Sequence, residues 1–160
     1  MDYQISFACD HDEEKLQKIF IDSDMDMAGD IQEHVLIKKD NDIQGGGMLM
    51  ETSKGVFHLL VFAMKQNSRS QGIGSQLLQE LIKQPWKYCL DGGNAVKGEY
   101  RITTVAKGKS ANFYRKNGFS VCEFSMLDDP FNEQCTECPE QLECNPAAMQ
   151  FASYGENSLL

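Results

Sequence analysis

Two stretches of this 160-residue chain carry residue types and spacings that could do chemistry. The first is "VFAMKQNSRSQGIGSQLLQELI", where an apolar run ends in a polar knot and an amphipathic segment follows. In the knot, Arg69, Ser70, Gln71, Gly72, Ile73 and Gly74 read R-x-x-G-x-G. Glycines between a strand and a helix let backbone N–H groups approach a ligand with no Cβ in the way. The helix behind them supplies unpaired N–H groups and the positive end of its dipole, so the pattern describes an anion cradle. The same spacing also serves a plain strand-to-helix turn that needs two glycines. The commonest nucleotide motifs do not fit. A dinucleotide fingerprint needs a third glycine where Leu77 stands, and the Gly-Lys-Ser/Thr of a phosphate-binding P-loop is missing.

The second stretch is "DDPFNEQCTECPEQLECNPAAMQF". Cys135 and Cys138 form C-x-x-C, and Cys144 follows after five residues. Three close thiols can hold zinc if a fourth ligand comes from elsewhere, can do redox or iron–sulfur chemistry, or can be free thiols in a loop. The six cysteines of the whole chain are expected as thiols, ligands or redox groups, because the chain reads as cytoplasmic. Its N-terminal "MDYQISFACDHDEEKL" is too acidic for a signal peptide. No apolar run approaches the ~20 residues that cross a bilayer, so no membrane partner is expected. A net charge of −9 argues against nucleic acid as well.

The elements that must position these residues follow from periodicity. Tyr3–Phe7 alternates as a short strand. Leu16, Ile19 and Phe20 fall at helical spacing behind an acidic start. "DSDMDMAGD" (22–30) reads as a loop with a short turn of helix, "EHVLIKK" as a strand, "DNDIQGGG" as a turn, and "GMLMET" as the next strand. "VFHLLVFAM" (56–64) is almost wholly apolar, as a central strand buried on both faces would be. Residues 74–83 form an amphipathic helix stopped by Pro85. "YRITTVA" is a strand, "SANFYRKNGF" a short helix closed by Gly118 in a left-handed conformation, and "FSVCEFSML" a strand. "PAAMQF" is the last strand and "GENSLL" frays. A meander followed by two strand–helix units implies an α/β (α+β) domain over 1–154, with a mixed sheet and helices on both faces.

R-x-x-G-x-G at the end of a long strand, with "SANFYRKNGF" about forty residues on, resembles the GNAT N-acetyltransferase superfamily. The resemblance extends over nearly the whole chain. It implies a mostly antiparallel sheet splayed between the fourth and fifth strands, and acetyl-CoA as co-substrate. Backbone amides of Arg69, Ser70, Gln71, Gly72, Ile73 and Gly74 would hold its pyrophosphate. The pantetheine arm would pair with the strand end at Phe62, Ala63 and Met64. Tyr114 occupies the position of the family's general acid near the sulfur; a core aromatic beside Phe113 and Phe119 is the other reading. His58 stands where several members carry a basic carboxylate, and it titrates near neutral pH. It reads either as the base or as a packed, hydrogen-bonded histidine, with Glu51, the aspartates of 22–30 and a water chain as rivals. Lys107 replaces a coenzyme-contacting asparagine of the family, and Lys107, Lys109 and Asn112 are candidate contacts in a loop that could equally be merely solvated.

The cysteine-containing segment becomes an enlarged connection (about 128–145) between the sixth and seventh strands. In the family this connection and the loop between the first two helices flank the acceptor. Both are acidic here, which is the pattern of solvated loops and also of a site for a cationic amine. The implied function is therefore acetyl transfer to a small-molecule or peptide amine, by direct attack in a ternary complex. A non-catalytic acyl-CoA sensor, or a metal- or redox-responsive interaction protein using the cysteines, are the alternatives. Edge strands of such sheets often pair, which allows a homodimer.

Overall fold

The computed structural model describes residues 3–68, 72–90, 99–133 and 145–153. The described residues form seven strands and three α-helices. They are β1 (Tyr3–Phe7), α1 (Glu13–Asp22), β2 (Val35–Lys39), β3 (Asp42–Ser53), β4 (Val56–Met64), α2 (Ile73–Lys83), β5 (Arg101–Ala106), α3 (Ala111–Lys116), β6 (Ser120–Val121) and β7 (Ala147–Ala152). The hydrogen-bonded order is β1-β2-β3-β4-β5-β7-β6. The pairs β1–β2, β2–β3, β5–β7 and β6–β7 are antiparallel, and β4–β5 is parallel. This is the mixed α+β sheet that the order of elements implies. The chain divides into two compact units, Met1–Met50 with Leu59–Ala95, and Glu51–His58 with Val96–Leu160.

In the first unit, α1 presents Leu16, Ile19 and Phe20 to a core that includes Ala8, Ile31, Leu36, Ile43 and Ala63. The i, i+3, i+4 spacing puts these three side chains on one helix face. Helix α2 does the same with Ile73, Leu77, Leu78, Leu81 and Ile82, all buried. It ends at Lys83, with Gln84 as its C-cap just before Pro85, because proline can neither donate the next helical bond nor clear the preceding carbonyl. The 22–30 loop carries no second α-helix. The expected turn comes at Ile31–Glu33 as a 3-10 turn.

The largest departure from expectation concerns the three glycines of "DNDIQGGG". The hairpin turn is only Asp40 and Asn41, both left-handed at φ 53° and 66°, and the glycines lie inside β3. They are there for close approach. A Cβ at Gly45 would sit 2.6 Å from the Ala63 carbonyl oxygen and against the Met64 sulfur. One at Gly46 would sit 2.8 Å from the Val35 carbonyl oxygen, and one at Gly47 2.9 Å from that of Val61. Just before them the register slips: Ile37 pairs with Gly45 but Lys38 with Ile43, so Gln44 is the extra residue of a bulge.

In the second unit, β7 runs against β5 from Arg101↔Ala152 to Ala106↔Ala147, so residues late in the chain form an interior strand. Strand β6 is much shorter than "FSVCEFSML" predicts. It pairs with β7 only at Ser120 and Val121, with Cys122 N–H still donating to Ala148 O at 2.9 Å. Phe124–Met126 then turns as a 3-10 helix, which buries Leu127 and places the Met126 carbonyl to accept from the Arg101 guanidinium at 3.3 Å. Burying one leucine and pairing one carbonyl offset the loss of an edge ladder exposed to water. Helix α3 closes as expected, with Gly118 at φ 98° and Phe119 N–H donating to Tyr114 O at 3.0 Å.

The close approach at β3 is testable. Gly45→Ala is expected to lower stability by about 1–3 kcal/mol, the usual penalty of overpacking, read as a lower urea midpoint with unchanged slope. An unchanged midpoint would show that the neighbouring strand end moves aside freely.

Candidate functional site

The cradle side is built in the first unit. Strand β4 delivers Phe62, Ala63 and Met64, all buried, at its end. A 3-10 turn at Gln66–Ser68 follows. The chain then reaches Gly72, the N-cap of α2, at φ 80°. There an L side chain is strained, and a Cβ would meet open space within 4 Å among the described residues. Gly72 is therefore required by its backbone conformation and not by a crowded neighbour. The carbonyl of Gly72 accepts the first helical bond, from Gln76 N–H at 3.1 Å. A helix leaves the N–H groups of its first turn without an intrahelical carbonyl, and that turn begins with Ile73 and Gly74. Arg69, Ser70 and Gln71 lie outside the described residues.

The second unit holds Tyr114 and His58. Tyr114 is 5% exposed and packs edge-on against Phe113 and Phe119, each at 5.4 Å between ring centroids. Burial pushes its phenol well above the usual tyrosine range, against a hydrogen bond with the Thr104 hydroxyl that pulls the other way. His58 is 2% exposed. Its Nδ1 lies 2.8 Å from Thr103 Oγ1, and its ring stacks on Phe131 at 3.8 Å and 13°. Burial lowers its pKa to about 4, although the Asp128 carboxylate nearby pulls it upward. Asp128 is itself tied down, accepting from Thr52 Oγ1 at 2.7 Å and Ser53 Oγ at 2.8 Å. Those two hydroxyls, with Arg101 and His58, hold its carboxyl below the ordinary value against the effect of burial.

The expected site residues are thus not all brought together. Thr103 and Thr104 are successive strand residues, so their side chains leave β5 by opposite faces. Thr103 meets His58 and Thr104 meets Tyr114. The histidine and the tyrosine are therefore held on opposite faces of β5. Glu51, the rival base, accepts from Gly55 N–H at 3.2 Å. Lys107 is the half-buried N-cap of the 3-10 turn before α3. Asn112 is exposed and accepts from Arg115 at 3.1 Å. Cys135, Cys138 and Cys144 lie outside the described residues. Among the described residues no group of three or more His, Cys, Asp or Glu could hold a metal, and no helix is long and apolar enough to cross a membrane. Reading the sequence missed Thr103, Thr104 and Phe131 as partners. The signal available was "TT" in a buried strand, since a buried hydroxyl needs a hydrogen-bond partner.

Three solved structures illustrate the likeness of fold. N-acetylglutamate synthase from Neisseria gonorrhoeae, complexed with coenzyme A and N-acetyl-glutamate, superposes with a TM-score of 0.72 at 12% identity, over 95% of this chain and 35% of that one. This chain thus spans about a third of the synthase. Ard1 from Thermoplasma volcanium gives 0.66 at 13% identity, over 95% and 98% of the two chains. Tetrahymena GCN5 gives 0.61 at 16%, over 95% and 96%. At such identities the likeness concerns the fold alone. No curated protein matches the sequence. The family model described as an acetyltransferase (GNAT) domain matches residues 30–121, from just before β2 through β6. With more than half of its length matched, this chain belongs to the GNAT acetyltransferase family.

Proposed function

We propose that the chain transfers an acetyl group from acetyl-CoA to a primary amine, by direct attack in a ternary complex. The observation that carries this reading is Gly72, left-handed at the N-cap of an eleven-residue helix that follows the buried end of β4. That arrangement suits a pyrophosphate on the first-turn amides and an extended thioester arm along Phe62, Ala63 and Met64. The synthase, which is complexed with coenzyme A, adds support for the donor. In the reaction the amine nitrogen attacks the thioester carbonyl carbon, and a β4 backbone amide near Phe62–Met64 stabilises the oxyanion. The C–S bond then breaks with its electron pair on sulfur, and the new amide nitrogen loses a proton.

Tyr114 is the proposed partner of the departing sulfur. A phenol is protonated at neutral pH even at its ordinary value near 10, and burial raises this one further. Because a thiol ionises near 8.5, complete proton transfer from Tyr114 to the thiolate runs uphill. The role that fits is a hydrogen bond to the developing thiolate, worth most when charge has formed. His58 is supported less well as the base. A pKa near 4 keeps the imidazole neutral but makes it a poor match for an ammonium group near 10. Its ring is already engaged by Thr103 and Phe131. We read His58 as an anchor for residues 128–133, with water removing the amine's proton. Acidic residues in 22–30 and 128–133 favour a cationic small-molecule or peptide amine as acceptor. A non-catalytic acyl-CoA sensor would bind coenzyme A with no turnover.

Three outcomes test these assignments. Tyr114→Phe should lower kcat about 10²-fold while the coenzyme A dissociation constant stays put, by analogy with removing one transition-state donor; equal kcat would remove Tyr114 from the chemistry. Gly72→Ala should weaken coenzyme A binding about tenfold and Gly72→Asn less, because asparagine tolerates the left-handed region; calorimetric titration reads the order, and equal affinities would refute it. For His58 the folded pKa lies below the unfolded value, so between pH 6.5 and about 4 the unfolded chain binds the extra proton. Stability is complete above pH 6.5 and declines as pH falls. The loss should reach about 3 kcal/mol more than in a His58→Gln variant, measured by urea unfolding across that range. A variant that unfolds with the same pH dependence would contradict the buried neutral ring. If His58→Gln instead keeps its fold and loses 10² or more in kcat, the base role is restored.

A further inference from the structure

We propose that Gln44 is a positioning residue for acetyl-CoA, acting from the β3 bulge through Lys65 and Ser68 to fix the chain just ahead of the cradle. The inference rests on the acetyl-CoA reading above and concerns residues of the first unit only.

Gln44 is 9% exposed and Ser68 is 2% exposed. The Gln44 amide nitrogen donates to the Asp42 carbonyl at 3.1 Å and to its carboxylate at 3.2 Å. A backbone carbonyl can only accept, so this fixes the amide with its oxygen the other way. That oxygen accepts from the Ser68 hydroxyl. The Gln44 backbone carbonyl accepts from Lys65 N–H at 2.7 Å, and Ser68 N–H closes the turn on Lys65 O at 2.9 Å. One bulged residue thus holds both ends of the turn that leaves β4. In regular pairing a residue at this point would face its strand partner, and the slip between Ile37 and Lys38 re-aims it. The Lys65–Asp42 ion pair at 3.0 Å joins the same group, but its side chains are 39% and 54% exposed, and such pairs contribute little. The bonds to Ser68 and Lys65 N–H, which involve buried groups, dominate.

Lys65 directly follows Met64, the end of the strand along which the thioester arm is proposed to run. A strand end already held by such bonds has less freedom to lose when a ligand binds. Releasing it returns that freedom, and the ligand must then remove it. The expected signature is weaker coenzyme A binding with catalysis at saturation preserved.

The test is calorimetric titration of coenzyme A into the wild type, Gln44→Ala, Ser68→Ala and the double variant, with kcat at saturating acetyl-CoA. Each single change should raise Kd about tenfold, the double variant no further, and kcat should stay within about twofold. Should Gln44→Ala not fold, Ser68→Ala decides alone. If the wild type binds and the single variants bind as tightly, the Gln44 proposal is overturned while the acetyl-CoA reading stands. Additive losses in the double variant would also overturn it, since the two groups would then act independently. If the wild type binds no coenzyme A, the acetyl-CoA reading falls and takes this proposal with it.

Discussion

Neighbouring side chains on a strand cannot face the same way, and β5 uses that constraint at Thr103 and Thr104. One hydroxyl meets the His58 imidazole, the other the Tyr114 phenol. Both threonines are buried, so each hydroxyl needs a partner, and each partner gains a fixed position in return. The two titratable groups expected to share one reaction are thereby assigned to opposite faces of β5. A one-residue shift of β5 would exchange the faces and leave two buried hydroxyls facing the wrong rings. The six paired positions against β7, from Arg101 to Ala106, oppose that slip. The register of a strand formed late in the chain is therefore part of what positions the tyrosine.

Burial then sets the proton on each ring. The same physical cause acts in opposite directions on pKa, because it always disfavours the charged form. It raises the phenol of Tyr114, already protonated at neutral pH, and lowers the imidazole of His58. For the role proposed for the tyrosine this is useful, since a hydrogen-bond donor must keep its proton. For the histidine it is costly to a base and harmless to an anchor. Asp128 shows that charge alone does not decide the matter. Its carboxylate pulls the histidine upward, yet burial prevails. The hydroxyls of Thr52 and Ser53 favour that carboxylate's charged form, and burial of the ring still outweighs it.

The parts of this arrangement that were legible in the sequence are those encoded by local periodicity and by glycine at turns. The stripe Leu77, Leu78, Leu81, Ile82 marks α2 without ambiguity, and Gly118 marks the end of α3. Gly72 is legible as special, although the sequence alone left two readings of why. Gly45 and Gly46 read locally as part of a turn, because local rules link glycine to turns while the need here is non-local: carbonyls of β2 and β4 lie where the Cβ atoms of residues 45–47 would be. The same limit hides the bulge at Gln44, which exists only in the pairing with β2. It also hides the truncation of β6, whose alternating sequence suits a strand but whose next residues gain more by turning. His58 and Tyr114 were both legible as candidates, but which faces they occupy depends on a strand register that no single segment contains.

These differences bear on how a family fold persists at 12–16% identity to its structural neighbours. A cradle made of backbone amides needs a left-handed residue, a helix start and a strand end; the side chains around it can change as long as those backbone positions stay fixed. The features that support the donor reading here are of this kind: Gly72 at φ 80° and the end of β4. Acceptor recognition has no such protection, because it depends on side chains carried by loops, where substitutions and insertions meet little resistance from packing. The anchoring of residues 128–133 through Asp128 and Phe131 on residues 51–58 uses side chains throughout. Such an anchor can be rebuilt without disturbing a backbone-made cradle. Under the proposed function, donor binding therefore answers to the backbone of the cradle and to the few side chains that fix it, and acceptor choice to the side chains of the loops.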